Sequence, residues 1–180
     1  MEQVKWTIRR AHPDDACGIA DVQVNSWKTT YAGIIPEKII EVLSGQQREE
    51  RWREILSDSA EKEFVFVATA FHGRIVGFAS GEPERKGNPK YRGEISAIYI
   101  LKPYQRLRIG RHLVSAVAAE LLRREIPTLL IRVLAANPAC GFFEALGGRK
   151  LFESEVRIGG AAYPDVAYGW DDIGKLVVPE

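Results

Sequence analysis

Cysteine and histidine are scarce in this chain, and net charge is nearly absent. Cys17 and Cys140 stand far apart, with no C-x-x-C spacing and no histidine ladder, which speaks against a disulfide framework and a cysteine-bound zinc site. Both read as small buried hydrophobes. His12, His72 and His112 fall at a helix start, a turn and a helix, so no two form a metal site or a catalytic triad, and no metal is expected. The 25 basic and 24 acidic residues leave a net charge of +1, which argues against a general nucleic-acid or membrane-surface binder. Any basic site must therefore be local. No uncharged apolar run is long enough to span a membrane, and Met1 to Lys5 lack the apolar core of a signal peptide, so a cytoplasmic location is expected. Neither G-x-G-x-x-G nor G-x-x-x-x-G-K-[ST] occurs, which makes a plain nucleotide-binding domain a poor fit. Ser80 and Ser96 lie outside any G-x-S-x-G, so a serine hydrolase is set aside.

What is present suits a single domain over residues 1–180, since 46% of the chain is hydrophobic and a chain of this length can bury a sizeable core. The stretch from Val4 to Ala11 alternates as a strand, and His12-Pro13-Asp14-Asp15 supplies a helix start. Ala16, Ile19, Ala20, Val22 and Trp27 recur at helical spacing up to Tyr31. A short helix from Pro36 through Ile39, Ile40 and Leu43, closed by Ser44-Gly45, precedes a charged helix from Gln46 to Leu56. Residues 64–71 and 75–81 read as a hairpin turning at His72-Gly73. The polar stretch from Glu82 to Arg92 reads as a mobile surface loop. A strand from Glu94 to Leu101, a helix from Ile109 to Arg124 and a strand from Thr128 to Leu134 imply a parallel pair with a crossover. A short helix ends at Gly147-Gly148. The last hairpin joins 150–157 to 163–170 through Gly159-Gly160, and Tyr163, Val166, Tyr168 and Trp170 could give it an aromatic edge.

Residues 94–113 carry the chemistry. An apolar strand runs through a basic turn into a helix, and the first helical turn offers unpaired N–H groups and the positive end of the helix dipole. Lys102, Arg106, Arg108 and Arg111 crowd that turn. Cations are disfavoured at a helix N-terminus unless an anion compensates them, so the segment suits a diphosphate, and the strand feeding it suits a long ligand.

Gln105-Arg106-Leu107-Arg108-Ile109-Gly110 matches the pattern Q/R-x-x-G-x-G/A, with Arg108 where the first glycine stands. Asn137-Pro-Ala-Cys-Gly-Phe-Phe-Glu-Ala-Leu-Gly-Gly matches N-x-x-x-x-F-Y-E-x-L-G-G, with Phe143 where the tyrosine stands. On these blocks and its element order, the chain resembles the GCN5-related N-acetyltransferases (GNAT), which move an acetyl group from acetyl-CoA to an amine. Residues 27–36, Trp27-Lys-Thr-Thr-Tyr-Ala-Gly-Ile-Ile-Pro, are similar to a stretch found in many bacterial members. The resemblance implies an α/β fold: a mixed, mostly antiparallel sheet of about seven strands, helices on both faces, and a parallel pair splayed at the acetyl-CoA site.

The site residues follow from the same resemblance. The backbone of Ile98, Tyr99 and Ile100 would run along the pantetheine, with the N–H of Ile98, on the Glu94 face, facing the thioester oxygen. Gln105, Arg106, Arg108, Ile109, Gly110 and Arg111 would surround the diphosphate. Asn137 is a pantetheine contact, an N-cap of the helix after it, or both. Phe143 is a core or cofactor-facing ring, and Trp27 and Tyr31 line the acceptor pocket or belong to the core. Arginine takes positive φ only with strain, so Arg108 is expected to stay helical and add a cation. Phe143 has no proton to give a departing thiolate.

Period-two alternation puts Glu94, Ser96, Ile98 and Ile100 on one face. Glu94 then either takes the proton of the acceptor amine or is a solvated strand-end glutamate. The function expected is acetyl transfer to a primary amine of a small molecule or peptide in a ternary complex. The rival is a CoA-binding sensor with little catalysis, and pairing as a homodimer is expected from related folds.

Overall fold

The computed structural model describes residues 5–42, 45–58, 60 and 62–179. Strand β1 (Thr7–Arg10) leads into α1 (Ala16–Thr30), α2 (Glu37–Glu41) and α3 (Gly45–Ser57), followed by β2 (Phe64–Ala70) and β3 (Arg74–Pro83). Then come β4 (Gly93–Ile100), α4 (Ile109–Arg123), β5 (Leu129–Leu134), α5 (Cys140–Ala145), β6 (Arg149–Ile158) and β7 (Ala161–Trp170). The expected element order is present throughout. Val4, Leu43 and Ser44, which the first strand and the second helix were expected to include, lie outside the described residues.

Seven strands among the described residues form one sheet in the order β1-β2-β3-β4-β5-β7-β6. Every neighbouring pair is antiparallel except β4 and β5. The parallel pair follows from its connection: α4 carries the chain back across the sheet, and the crossover returns it in the same direction. The sheet order also corrects an expectation. β7 is an inner strand, so Val166, Tyr168 and Trp170 are buried and the free edge belongs to β6.

The two faces of the sheet bury different helices. On β2, Val65, Val67 and Thr69 alternate with Phe64, Phe66 and Ala68, and antiparallel partners share a face. Phe78, paired with Val67, meets Trp52 of α3 edge-on at 5.1 Å. Gly81, paired with Phe64, faces Val117 of α4 so closely that a Cβ would lie 2.6 Å from it. Helices α1 and α3 therefore cover one face, and α4 with α5 cover the other. Helix α4 is shaped for this role, because Ile109, Leu113, Val114, Val117, Ala118 and Leu121 recur every three or four residues and all are buried. No helix among the described residues is long and apolar enough to cross a membrane.

A bulge in β4 decides the geometry of the site. Gly81 pairs with Ile95 and Ser80 with Ala97, so Ser96 is the extra residue. Simple alternation therefore fails there. Glu94 shares its face with Ala97 and Tyr99, partners of Ser80 and Phe78, while the Ile98 and Ile100 side chains turn to the α4 face. The expected grouping of Glu94 with Ile98 and Ile100 is thus overturned, since an inserted residue reverses the side of everything after it.

The stretch from Glu82 to Arg92 is also tied down rather than loose. β3 continues to Pro83, Glu84 Oε2 accepts from the N–H groups of Lys86 and Asn88, and Asn88 Oδ1 accepts from those of Lys90 and Tyr91. Its far end bonds to Thr128.

Gly93 opens β4 at the first rung of the parallel pair, where a Cβ would sit 2.8 Å from Leu121 and 2.9 Å from the Thr128 carbonyl. Gly93→Ala is expected to lower stability by about 1–3 kcal/mol through overpacking. Denaturant unfolding measures this, and an unchanged midpoint would contradict the packing described.

Candidate active site

The turn before α4 is built as an anion cradle. Arg106 has φ 64° and Arg108 has φ 65°, both in the left-handed region. The expectation that Arg108 stays helical is therefore corrected: it keeps the backbone a glycine would adopt, and the turn is imposed on it by the strand and helix on either side. Left-handed residues alternating with ordinary ones aim successive N–H groups into one concavity. Among the described residues the N–H groups from Arg106 to Arg111 find no protein acceptor, the first helical bond being from His112 to Arg108. Arg106, Arg108 and Arg111 are exposed, and none is ion-paired to a described residue.

The members of the cradle divide by task. Ile109 and Gly110 are buried, and a Cβ on Gly110 would lie 3.0 Å from the Phe142 ring, so this glycine lets α4 approach α5. Gln105 turns its amide back to the Ile100 carbonyl at 3.1 Å, closing the end of β4.

The strand that leads into the cradle borders a gap in the sheet. β4 and β5 pair only at Gly93–Leu129, Glu94–Leu130 and Ile95–Ile131, then separate. Beyond the bulge β4 keeps β3 as its partner, and the Leu101 N–H bonds to Val76 of β3. Alternation along an extended chain then turns the N–H groups of Ile98 and Ile100 away from β3 and into the gap. A cleft of about 290 Å³ occupies this opening, lined by β4 from Glu94 to Tyr99, by β5 from Ile131 to Leu134, and by Trp27, Tyr31, Asn137, Phe143 and Asp165. The structure therefore brings both strands, Trp27 and Tyr31, and the Asn137 segment to one place.

Charge is clamped at the closed end. Glu94 is 3% exposed, which removes the solvated strand-end reading. Its carboxylate accepts from Arg132 at 3.1 Å and from Arg85 at 3.2 Å. Arg132 also reaches Glu84 at 2.7 Å. Burial pushes the Glu84 carboxyl up, but the Asn88 N–H, the Arg132 guanidinium and the Lys86 N–H outweigh it and hold the group below its ordinary value. Glu82, opposite Glu94, is pushed up chiefly by burial and then by the charge of Glu63, with Arg85 opposing. Arg85 lies 3.2 Å from Glu82 Oε1 without hydrogen-bond geometry.

The open end is aromatic. Trp27 and Tyr31 meet edge-on at 4.8 Å, and the Trp27 indole N–H donates to the Tyr99 hydroxyl at 3.0 Å. Tyr99 is held far above the ordinary phenol range by burial. Asn137 is engaged at both ends of its amide. Its Oδ1 accepts from the Ala139 N–H at 2.8 Å, starting the turn into α5, and its Nδ2 donates to the Tyr31 hydroxyl at 3.3 Å inside the cleft. Phe143 is 2% exposed and packs on Phe142, Tyr168 and Trp170.

Among the charged lining residues, Arg85, Lys86, Arg132 and Asp165 were not singled out from the sequence. Arg85 and Arg132 sit among unremarkable charges on a loop and a strand, and only the sheet order shows that they meet Glu94. Asp165 lies in the last hairpin, 6% exposed, with Ser154 as its hydrogen-bond partner. A carboxylate inside the apolar run of β7 was the available signal.

Comparison with known proteins agrees with this geometry. Residues 27–148 match the family model described as the acetyltransferase (GNAT) family. The chain is 35% identical over 170 residues to an uncharacterized N-acetyltransferase, YuaI, of Bacillus subtilis, covering 94% of this chain and 95% of that protein. In fold it is similar to a GCN5-related N-acetyltransferase from Rhodopseudomonas palustris (TM-score 0.72, 24% identity, 94% and 97% of the two chains). It is also similar to the PaiA N-acetyltransferase of Thermoplasma acidophilum, solved in complex with coenzyme A (TM-score 0.70, 21% identity, 90% and 98%).

The left-handed arginine gives a direct test. Holding a side chain at this φ costs about 1–2 kcal/mol, while glycine costs about 0.5–1 kcal/mol in unfolded-chain entropy. Arg108→Gly should therefore raise the stability of the ligand-free protein by about 0.5–1 kcal/mol, read from denaturant unfolding, and a loss of stability would contradict the strained turn.

Proposed function

The chain belongs to the GNAT acetyltransferase family, and on that premise we propose that it moves an acetyl group from acetyl-CoA to a primary amine of a small molecule or peptide. The observation that carries this reading is the gap between β4 and β5 together with the unpaired N–H groups of the turn that follows β4. The residues present fit acetyl-CoA on three counts. The cradle suits a diphosphate, the inward N–H groups of Ile98 and Ile100 suit the amides of a pantetheine laid along β4, and Asn137 faces the same cleft. The PaiA structure with coenzyme A supports the choice of ligand. Bound acetyl-CoA supplies the activated acetyl thioester.

The chain's own residues then position and deprotonate. A neutral amine is required, because an ammonium has no lone pair to attack with. Two carboxylates line the cleft. Glu94 has guanidinium donors on both oxygens, whereas Asp165 has a hydroxyl partner, Ser154. In this reading Asp165 accepts the amine proton, and Glu94 holds Arg85 and Arg132 across the closed end of the cleft. The backbone N–H of Ile98 is aimed where an oxyanion would develop, though its side chain lies on the face opposite Glu94. Trp27 and Tyr31 wall the acceptor side. Cytoplasmic residence and pairing of two copies along the free β6 edge belong to the same proposal, and sedimentation tests the pairing.

The direct experiment incubates purified protein with acetyl-CoA and a panel of amines and measures release of free CoA. Release with at least one amine supports the proposal, and tight acetyl-CoA binding without release on any amine would favour a CoA sensor. Asp165→Asn is expected to lower kcat roughly 100-fold, with Glu94→Gln acting mainly on stability. Unchanged turnover in Asp165→Asn together with its loss in Glu94→Gln would return the proton-acceptor role to Glu94.

A further inference from the structure

The family pattern places a phenol at position 143, and this chain has Phe143 there, buried and without a proton to give. The cleft nevertheless contains phenols from other elements, and their hydrogen bonds have a direction. The Trp27 indole can only donate, so the Tyr99 oxygen accepts from it at 3.0 Å. The Asn137 amide is oriented by its Oδ1, which takes the Ala139 N–H, so its Nδ2 must donate to the Tyr31 oxygen at 3.3 Å. Tyr99 and Tyr31 both line the cleft, and Trp27 touches both, edge-on to the Tyr31 ring and through its N–H to the Tyr99 oxygen.

The Tyr31 oxygen thus accepts from Asn137, and among the described residues nothing accepts its own proton. That proton has the cleft to point into, because Tyr31 lines it and is otherwise buried. Burial raises the Tyr31 phenol above its ordinary value, with the Tyr99 and Asn137 bonds pulling it back. The group is therefore protonated throughout the neutral range and has a proton to give.

We propose that Tyr31 is the proton donor of this site, delivering its hydroxyl proton to the sulfur that leaves the acetyl group. This rests on the acetyltransferase reading above. The neutral amine nitrogen forms the new C–N bond as the C–S bond breaks, the electron pair leaves on sulfur and takes the Tyr31 proton, and Asp165 takes the proton lost by nitrogen and releases it to solvent. Tyr31 regains a proton from solvent as the products leave. The Asn137 amide N–H on the phenol oxygen stabilises the phenolate formed in that interval.

The test uses Tyr31→Phe and two readouts. The first is the thiol of bound CoA, titrated by thiolate absorbance in the binary complex without turnover. A donor at Tyr31 stabilises the thiolate, so the thiol should titrate about one pH unit higher in Tyr31→Phe than in the native protein. The second is kinetic: kcat should fall about 10- to 100-fold while acetyl-CoA affinity, measured by calorimetry, stays close to native. An unchanged thiol titration, or an unchanged kcat, overturns the proposal. A loss of affinity and stability with kcat retained would show instead that Tyr31 only ties α1 to Asn137, which also overturns it. If Tyr31→Phe fails to fold, a ring-fluorinated tyrosine at position 31 preserves the shape with a more acidic hydroxyl. It should move the bound thiol's titration downward, and no movement overturns the proposal. Failure of the native protein to bind acetyl-CoA removes the acetyltransferase reading itself, and the inference with it, and is distinguishable because it appears before any substitution.

Discussion

The parting of β4 from β5 is the constraint on which the rest of this structure depends. Parallel neighbours ordinarily stay paired along their length, because each unpaired N–H and C=O left away from water is costly. Here pairing stops after Ile95 and Ile131. Two features make the separation stable. The extra residue at Ser96 twists β4 and breaks its ladder, and the ion pairs joining Arg132 and Arg85 to Glu84 and Glu94 clamp the end that stays closed. Glu94 and Glu84 are nearly shielded from solvent, so removing Arg132 would leave Glu84 with no guanidinium partner, and removing either arginine would leave Glu94 with only one.

From that opening the remaining parts take their places. The backbone of β4 beyond the bulge faces a gap instead of a strand, and the helix that carries the chain across begins at the mouth of the same gap. Its first turn collects N–H groups and cations without partners among the described residues, on a backbone bent through two left-handed arginines. The aromatic end of the cleft rests on contacts between distant segments: Trp27 with Tyr99, and Tyr31 with Asn137. A single ligand lying along β4 would touch all of these elements. The strain in the turn and the openness of the sheet are thus parts of one arrangement, in which the protein leaves polar groups unsatisfied where a ligand is to satisfy them.

Much of this was legible in the chain. Helices α1 and α4 announce themselves through apolar residues three and four apart, and the strand-helix-strand order around α4 implies a parallel pair. The cradle could be read because cations crowd a helix start, and the Asn137 block could be read from its pattern. The errors share one cause. Period-two alternation cannot register an inserted residue, so Glu94 was grouped with Ile98 and Ile100 across the bulge at Ser96. Arg108 was expected to avoid a backbone that favours glycine, because local preference does not show what the surrounding strand and helix impose. Arg85, Arg132 and Asp165 were missed because charges on a loop and on alternating strands carry no local mark of the cleft they share. The aromatics of the last hairpin read as an exposed edge until the sheet order placed β7 inside.

The central claim is that the gap and the cradle together hold one ligand, and amide hydrogen exchange with and without acetyl-CoA tests it most directly. Binding should slow exchange at Ile98, Ile100 and the amides from Arg106 to Arg111, while Glu94 and Ile95, already paired with β5, change little. Unchanged exchange in the β4 and Arg106–Arg111 segments at saturating acetyl-CoA, or protection confined to another part of the sheet, would contradict the account.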